Sequence, residues 1–318
     1  MKKKIVLVTG CSGFIGSHLV ELLIKKKNYV VGLDNLSTGR KKFIDNFDKK
    51  NFEFHKIDLF KANLDKYFKN VSEVFHLSAN ADVRYGTKFR NRDLEQNIIV
   101  THRILEQSIK NKAKKFIFSS SGSVYGESEQ IPTKENCPFP LQTSLYGASK
   151  LSAEALISAY SEAYNLKSYI FRFVSILGPR YSHGHVYDFV KKLNKNPKKL
   201  YVLGDGNQKK SYLHVLDCVT AIFKSINSFK KRVNIINLGT NDYITVKKSI
   251  KIITKKLGLN PKLHFSGGKR GWVGDNPFIF LDTRKIRSKG WKPNFSIEKS
   301  VMDTVDYINK NKWILKKN

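Results

Sequence analysis

Apolar residues along this chain fall into two alternating rhythms. Short runs rich in β-branched and aromatic residues have the continuous hydrophobicity of strands buried on both faces: Lys4–Val8, Tyr29–Leu33, Phe52–Ile57, Glu73–Leu77, Lys115–Phe118 and Ser168–Phe173. Between them, apolar positions recur three and four residues apart. Ile15, Leu19, Leu22 and Leu23 mark one helical face; Leu94, Ile98, Thr101 and Leu105 mark another within Arg92–Lys110. A long helical pattern covers about Tyr146–Tyr164. Strand and helix in this alternation predict an α/β fold built on a doubly wound parallel sheet.

After Ser175 the rhythm loosens, with turn residues at Gly178-Pro179 and Gly204-Asp205-Gly206. A helix around Leu216–Ile226 and a strand around Val233–Leu238 predict a return to the sheet. The remainder, with Gly267-Gly268, Gly271 and Gly274, predicts a smaller mixed α/β lobe. The expected division is 1–174 with a return segment at 214–240 for the sheet domain, and 175–213 with 241–318 for the lobe. Ligands of such sheets bind beyond the carboxyl ends of the strands, so a cleft between the two parts is expected.

Composition narrows this picture. A chain of 318 residues suits one or two domains. Hydrophobic residues at 41% and charged residues at 26% fit a folded soluble protein. No apolar run approaches the roughly 20 residues of a membrane helix. The run Ile5–Val8 stops at Thr9-Gly10, too soon for a signal-peptide core. Net charge is +32, but 47 of the 58 basic residues are Lys and they are scattered along the chain. Specific contacts to nucleic acid favour Arg, so a solvated Lys-rich surface is expected, with no specific nucleic-acid partner. That surface would steer small anions inward. Cys11, Cys137 and Cys218 are widely spaced and form no C-x-x-C. They predict neither a disulfide framework nor a metal site, and they suit a reducing cytoplasm.

The candidate chemistry begins at Thr9–Gly16 (TGCSGFIG), which joins a strand to a helix. In that context each glycine has a mechanical meaning. Gly10 permits the tight turn, Gly13 the close approach of a pyrophosphate, and Gly16 the close packing of helix on strand. The helix N-terminus then faces phosphate charge. Cys11 serves as a small residue. Asp34 follows the second strand, 18 residues after Gly16, where a carboxylate accepts hydrogen bonds from an adenosine ribose and repels a 2′-phosphate. Together these predict a Rossmann-type domain that binds NAD rather than NADP. Tyr146 and Lys150, four residues apart, share a helix face. An ammonium and a cationic nicotinamide nearby favour the phenolate, so Tyr146 is expected to move from about 10 toward a general-base range. Ser121 closes a strand-end serine run, placed to bond a substrate hydroxyl and share the proton transfer.

This combination resembles the extended short-chain dehydrogenase/reductase family, in its nucleotide-sugar epimerase/dehydratase branch. The resemblance covers nearly the whole chain. It runs through Thr9–Gly16, Asp34–Gly39 (DNLSTG), Asp58-Leu59, His76–Ala81, Ser119–Gly126 (SSSGSVYG), Tyr146–Lys150, Arg172–Arg180 (RFVSILGPR), Gly204–Asp217 and Gly271–Asp275 (GWVGD). It implies a catalytic set of Ser121, Tyr146 and Lys150. It implies a cofactor set of Gly10, Gly13, Phe14, Ile15, Gly16, Asp34, Asn35, Ser37, Thr38, Gly39, Asp58, Leu59, Leu77, Ser78, Ala79, Asn97, Ser119, Tyr146, Lys150 and Val174. Asp58 and Leu59 are expected at the adenine and Val174 at the nicotinamide. The implied substrate set is Ser121, Tyr146, Ser175, Arg180, Lys210, Arg270, Trp272 and Asp275, with His185 near the pocket. A homodimer joined through the helices Arg92–Lys110 and Tyr146–Tyr164 is implied as well.

Within the branch, the 4,6-dehydratases place Asp-Glu after the serine, and the decarboxylases place an acid one position later. Here those positions are Gly122 and Ser123, a small pair like that of the 4-epimerases. Ser175 stands where many of those have Asn, Lys210 where they have Arg, and Trp272 where they have Arg, with Arg270 two residues earlier. The leading expectation is an NAD-dependent nucleotide-sugar 4-epimerase of the UDP-glucose/UDP-galactose type. GDP-linked, N-acetylated and uronic sugars stay open, as does a 4-dehydrogenase that releases the keto product. A cofactor-binding module that holds nucleic acid is the non-enzymatic alternative, and the intact Ser121/Tyr146/Lys150 set argues against it.

Overall fold

The computed structural model describes residues 3–80, 85–138, 141–268 and 278–316. Seven strands form one sheet: β1 (Ile5–Thr9), β2 (Tyr29–Asp34), β3 (Phe52–Lys56), β4 (Glu73–His76), β5 (Lys115–Ser119), β6 (Lys167–Phe173) and β7 (Val233–Leu238). Their order is β7-β6-β5-β4-β1-β2-β3, and every pairing is parallel. The longer helices are α1 (Phe14–Lys25), α2 (Val100–Lys110), α3 (Leu145–Tyr164), α4 (His185–Lys195), α5 (Val215–Ser228), α6 (Val246–Leu257) and α7 (Ile297–Lys310).

Side chains alternate across the strands and divide the core in two. Val6, Val8, Phe75, Ile117, Phe171 and Ile236 pack with Leu19 and Leu23 of α1 and Cys218 and Ile222 of α5. Leu7, Val74, Phe116, Phe118 and Ile170 point the other way, onto Ile104 and Leu105 of α2 and Ala153 and Ile157 of α3. Both faces are therefore dry, which is why the strands read as unbroken apolar runs. β1 has β2 on one side and β4 on the other, so the chain reverses direction there and a crevice opens beyond their carboxyl ends.

Two details position the site. α3 begins where Ser144 Oγ accepts from the Gly147 N–H at 3.0 Å, and it stops at Asn165 in the left-handed region (φ +55°). The segment leading into α2 departs from the expected helix. Leu94–Ile99 is wound as a π-helix, and the extra residue in the turn rotates the inward stripe. Leu94, expected inside, is exposed, whereas Asp93 and Asn97 are buried.

In the smaller lobe α7 packs on α4 and α6. Two strand pairs lie beside the cleft: Ser175–Leu177 with Tyr212–His214, parallel, and Lys209–Lys210 with Ile244–Thr245, antiparallel. Buried Asp217, in the first turn of α5, ties the chain before α7 by accepting from the Asn294 and Phe295 N–H groups at 3.0 Å. Among the described residues, no helix is long and apolar enough to cross a membrane.

Candidate active site

A cleft of about 780 Å³ lies at the carboxyl ends of the strands. Its wall includes Gly10 after β1, Asp34 at the end of β2, Leu77 after β4, Ser119 of β5 and Val174 after β6, and it extends to Ser175, Lys210 and Tyr212 of the smaller lobe.

At the β1–β2 end, the glycine loop leaves no room for side chains. Gly10 has φ +68°, and a Cβ there would lie 2.8 Å from the Ser78 nitrogen across the crevice. A Cβ on Gly16 would lie 2.0 Å from the Gly10 carbonyl oxygen. Gly13 caps α1 without a side-chain cap, so the positive end of the helix is offered to a ligand. Asp34 accepts from the Ser12 N–H at 3.1 Å and the Leu36 N–H at 2.8 Å. Close by, the buried Ser12 hydroxyl has no hydrogen-bond partner among the described residues. The Arg40 guanidinium is turned away, donating to the Lys316 carbonyl at 2.9 Å. Among the described residues, a carboxylate and an unsatisfied hydroxyl with no guanidinium turned toward them suit a ribose with free hydroxyls rather than a 2′-phosphate.

At the other end, the serine run of β5 meets α3. Lys150 Nζ donates to the Ser119 carbonyl at 2.9 Å and lies 4.7 Å from the Phe118 ring centre. Tyr146 hydrogen-bonds Ser121. The Tyr146 phenol departs from expectation. Burial pushes it up to about 12, the bond to Ser121 opposes that rise, and the Asp93 charge adds to it. Counting neighbouring charges along the sequence misses desolvation, which dominates here.

The model of the NAD dependent epimerase/dehydratase family matches residues 6–239. The chain belongs to that family. It is an NAD-dependent enzyme. A Methanocaldococcus jannaschii protein provisionally named UDP-glucose 4-epimerase is 34% identical over 314 residues, 96% of this chain and 99% of its own. A crystal structure of a UDP-galactose 4-epimerase superposes with a TM-score of 0.87 at 32% identity, covering 97% of this chain and 100% of the other. The UDP-N-acetylglucosamine 4-epimerase of Methanobrevibacter ruminantium, solved with UDP-N-acetylmuramic acid, gives 0.86 at 30% identity, with 98% and 100% covered.

Most of the cofactor residues expected from sequence line the enzyme's cleft: Gly10, Gly13, Phe14, Ile15, Gly16, Asp34, Asn35, Ser37, Thr38, Gly39, Leu59, Leu77, Ser78, Ala79, Ser119, Tyr146, Lys150 and Val174. Ser121, Ser175, Lys210 and His185 line it too. Three others do not. Asp58 accepts from the Phe60 N–H at 3.0 Å, while its neighbour Leu59 forms the wall. Asn97 is drawn into a buried network, bonding the Asn80 N–H at 2.8 Å, Ser149 at 2.8 Å and Asp93 at 3.2 Å. The π turn puts Gln96 on the wall instead. Arg180 pairs with Glu21 at 2.9 Å. Arg270, Trp272 and Asp275 lie outside the described residues.

Sequence reasoning missed Gln208, which lines the cleft yet is buried, with neither carboxamide atom hydrogen-bonded among the described residues. It stands two residues before Lys210, just ahead of the strand Lys209–Lys210, a signal that was present but has no pattern of its own. Ile279 was missed as well. A Cβ on Gly122 would meet its Cγ2 at 2.5 Å and the Phe173 carbonyl at 3.1 Å. Packing as well as composition therefore keeps an acid out of that position.

Burial drives Lys150 down to about 7, against the raising pull of Glu154 and Asp93. The unfolded value is near 10.5. Below pH 7 the amine is charged in both states and the full burial cost, up to about 5 kcal/mol, is present. Between pH 7 and 10.5 only the unfolded chain keeps the proton, so stability rises and the cost disappears. Lys150→Met is therefore expected to stabilise the cofactor-free protein most near pH 6, with the gain shrinking toward pH 10. Thermal denaturation of both proteins across pH measures this; a gain independent of pH would exclude a buried ammonium.

Proposed function

We propose that the enzyme inverts the C4 carbinol of a UDP-linked hexose, with UDP-glucose and UDP-galactose as the first pair to test. The observation that carries this reading is the convergence of Ser121, Tyr146 and Lys150 on one wall, next to a position 122 that Ile279 closes to any acid. The set supports oxidation and reduction at a carbinol, and elimination lacks its acid.

Bound in the cleft lined by Gly10, Gly13, Asp34 and Val174, NAD would supply hydride-accepting and hydride-donating capacity at C4. Tyr146 takes the C4 hydroxyl proton and gives it back to the opposite face's alkoxide. Ser121 holds the oxygen through both transfers. Lys150 offsets the phenolate charge and anchors the ribose beside it. Between transfers the 4-keto sugar turns about its diphosphate linkage. Lys210 supplies a point charge for that diphosphate without the forked geometry of Arg. Pairing of two chains through α2 and α3 belongs to this proposal, and exposed Leu145 and Tyr164 at the ends of α3, with exposed Leu94 ahead of α2, support it.

Proton NMR of the purified enzyme with UDP-glucose, without added cofactor, is expected to show the UDP-galactose anomeric signal growing with time. UDP-N-acetylglucosamine and UDP-glucuronate complete the panel and assign the sugar. An enzyme with bound NAD that converts none of them would overturn the reading.

A further inference from the structure

Three consecutive residues at the end of β5 grip three residues of α3 spaced one turn apart. Ser121 bonds Tyr146 and the Ser119 carbonyl accepts from Lys150. Between them, the Ser120 hydroxyl donates to Glu154 Oε1. Tyr146, Lys150 and Glu154 fall at i, i+4 and i+8, one stripe of the helix. The first two positions carry the chemistry, and the third has no assigned part in it.

Glu154 is buried, and so is its partner Arg172 on β6. The guanidinium holds the carboxylate with two nitrogens: Nε at 3.0 Å from Oε1 and Nη2 at 2.6 Å from Oε2. Arg172 also donates to the Glu135 carbonyl at 3.2 Å and lies 4.6 Å from the Tyr125 ring centre. Ser120 is itself tied to β6, its N–H donating to the Phe171 carbonyl at 2.8 Å. The pair thus joins α3, β5 and β6 directly beneath the reacting groups. Hydrophobic residues can fill such a space at least as stably, so stability alone does not account for a buried ion pair here.

We propose that Glu154, clamped by Arg172, is a positioning residue for the reaction: it keeps the Tyr146/Lys150 stripe in register with the serine run and supplies the negative charge that Lys150 faces. The proposal rests on the reading of Tyr146 and Lys150 as the reacting pair. Among the described residues, the charged and titratable groups around Lys150 are few. Glu154 and Tyr146 lie on its own helix, and Asp93 acts from the segment before α2. His76 on β4 is held neutral, its pKa lowered to about 3 by burial and by Lys150. Glu154 is the stronger of the two carboxylates that oppose the lowering of Lys150 by burial.

The test is the pH profile of kcat. Glu154→Gln removes the larger of the negative charges acting on Lys150, so the ammonium is lost at lower pH. The alkaline limb is expected to move down by roughly half a pH unit or more, a loss of about threefold or more on that limb. The single variant strands a buried guanidinium, so the double variant Glu154→Gln, Arg172→Met is made alongside, with melting curves for both. It restores packing without restoring the field, and its limb is also expected to move down. Two results discriminate. A Lys150→Met enzyme with near-normal turnover overturns the reading of the reacting pair, and this proposal with it. An inactive Lys150→Met enzyme, together with a double variant whose profile superimposes on the wild type after scaling, overturns this proposal alone.

Discussion

Tyr146→Phe is expected to lower kcat by about a hundred- to ten-thousand-fold while NAD stays bound. The magnitude is that of losing a positioned general base. The variant deletes one oxygen, the atom that bonds Ser121, and leaves the ring to pack as before. The loss should fall on kcat rather than KM, because the proton is exchanged only as the hydride moves. The cradle proposed for NAD, Gly10, Gly13, Gly16 and Asp34, lies along β1, the following loop, α1 and β2, to which Tyr146 does not belong. In the ligand-free protein the phenol is held near 12, so it is a poor base at neutral pH. It becomes competent only when positive charge arrives beside it, as a bound oxidised nicotinamide would bring. The wild type should therefore show base-dependent activity at a far lower pH than its ligand-free phenol titrates. Rapid-mix kinetics of both enzymes, with bound NAD quantified after denaturation, check each part. Turnover within tenfold of wild type in the variant would remove Tyr146 from the reaction.

How much of this was legible in the sequence depends on whether an interaction is local. The strands were readable because a parallel sheet buried on both faces needs unbroken apolar runs, and Val6, Leu7 and Val8 are such a run. The glycine loop and the Tyr146/Lys150 pair were readable because their partners lie within one turn or one helix face. Glu154 and Arg172 were not. Each is a charged residue that sequence reasoning sends to the surface, and only the packing of α3 on β6 brings them together inside. Asp93 escaped, and Asn97 was expected at the cofactor when it is buried in a network, for another reason: 3.6-residue periodicity puts Leu94 inside, and a π turn undoes it. Tyr146 shows a third limit. Its neighbours could be listed from sequence, but the desolvation that outweighs them is a property of the closed fold.

Gly16→Ala is the second large effect, and it should damage binding and folding together. The new Cβ would lie 2.0 Å from the Gly10 oxygen, 2.9 Å from the Gly10 carbonyl carbon and 3.2 Å from the Cys11 Cα. All three atoms are backbone, so no side chain can swing aside. Either the loop or α1 must move by about 1 Å. α1 resists, because Leu19, Val20 and Leu23 are locked into the core beneath it. Overpacking of this kind costs about 1–3 kcal/mol, and the rigid obstacle places it at the upper end. The loop is tied by the Gly13 N–H donating to the Gly10 carbonyl at 3.1 Å, so displacing Gly10 also disturbs the surface that a pyrophosphate would contact. NAD affinity is expected to fall a hundredfold or more and the melting temperature by several degrees. Gly13→Ala separates the two losses. Its Cβ meets one atom, the Gly10 oxygen, at 3.1 Å, a contact that a shift of a few tenths of an ångström relieves, yet it stands in the path of the phosphates. That variant should lose NAD affinity with little change in melting temperature. Calorimetric titration with NAD and melting curves for the three proteins give the comparison, and a Gly16→Ala protein matching the wild type in both would show that helix and strand pack less closely here than the glycine requires.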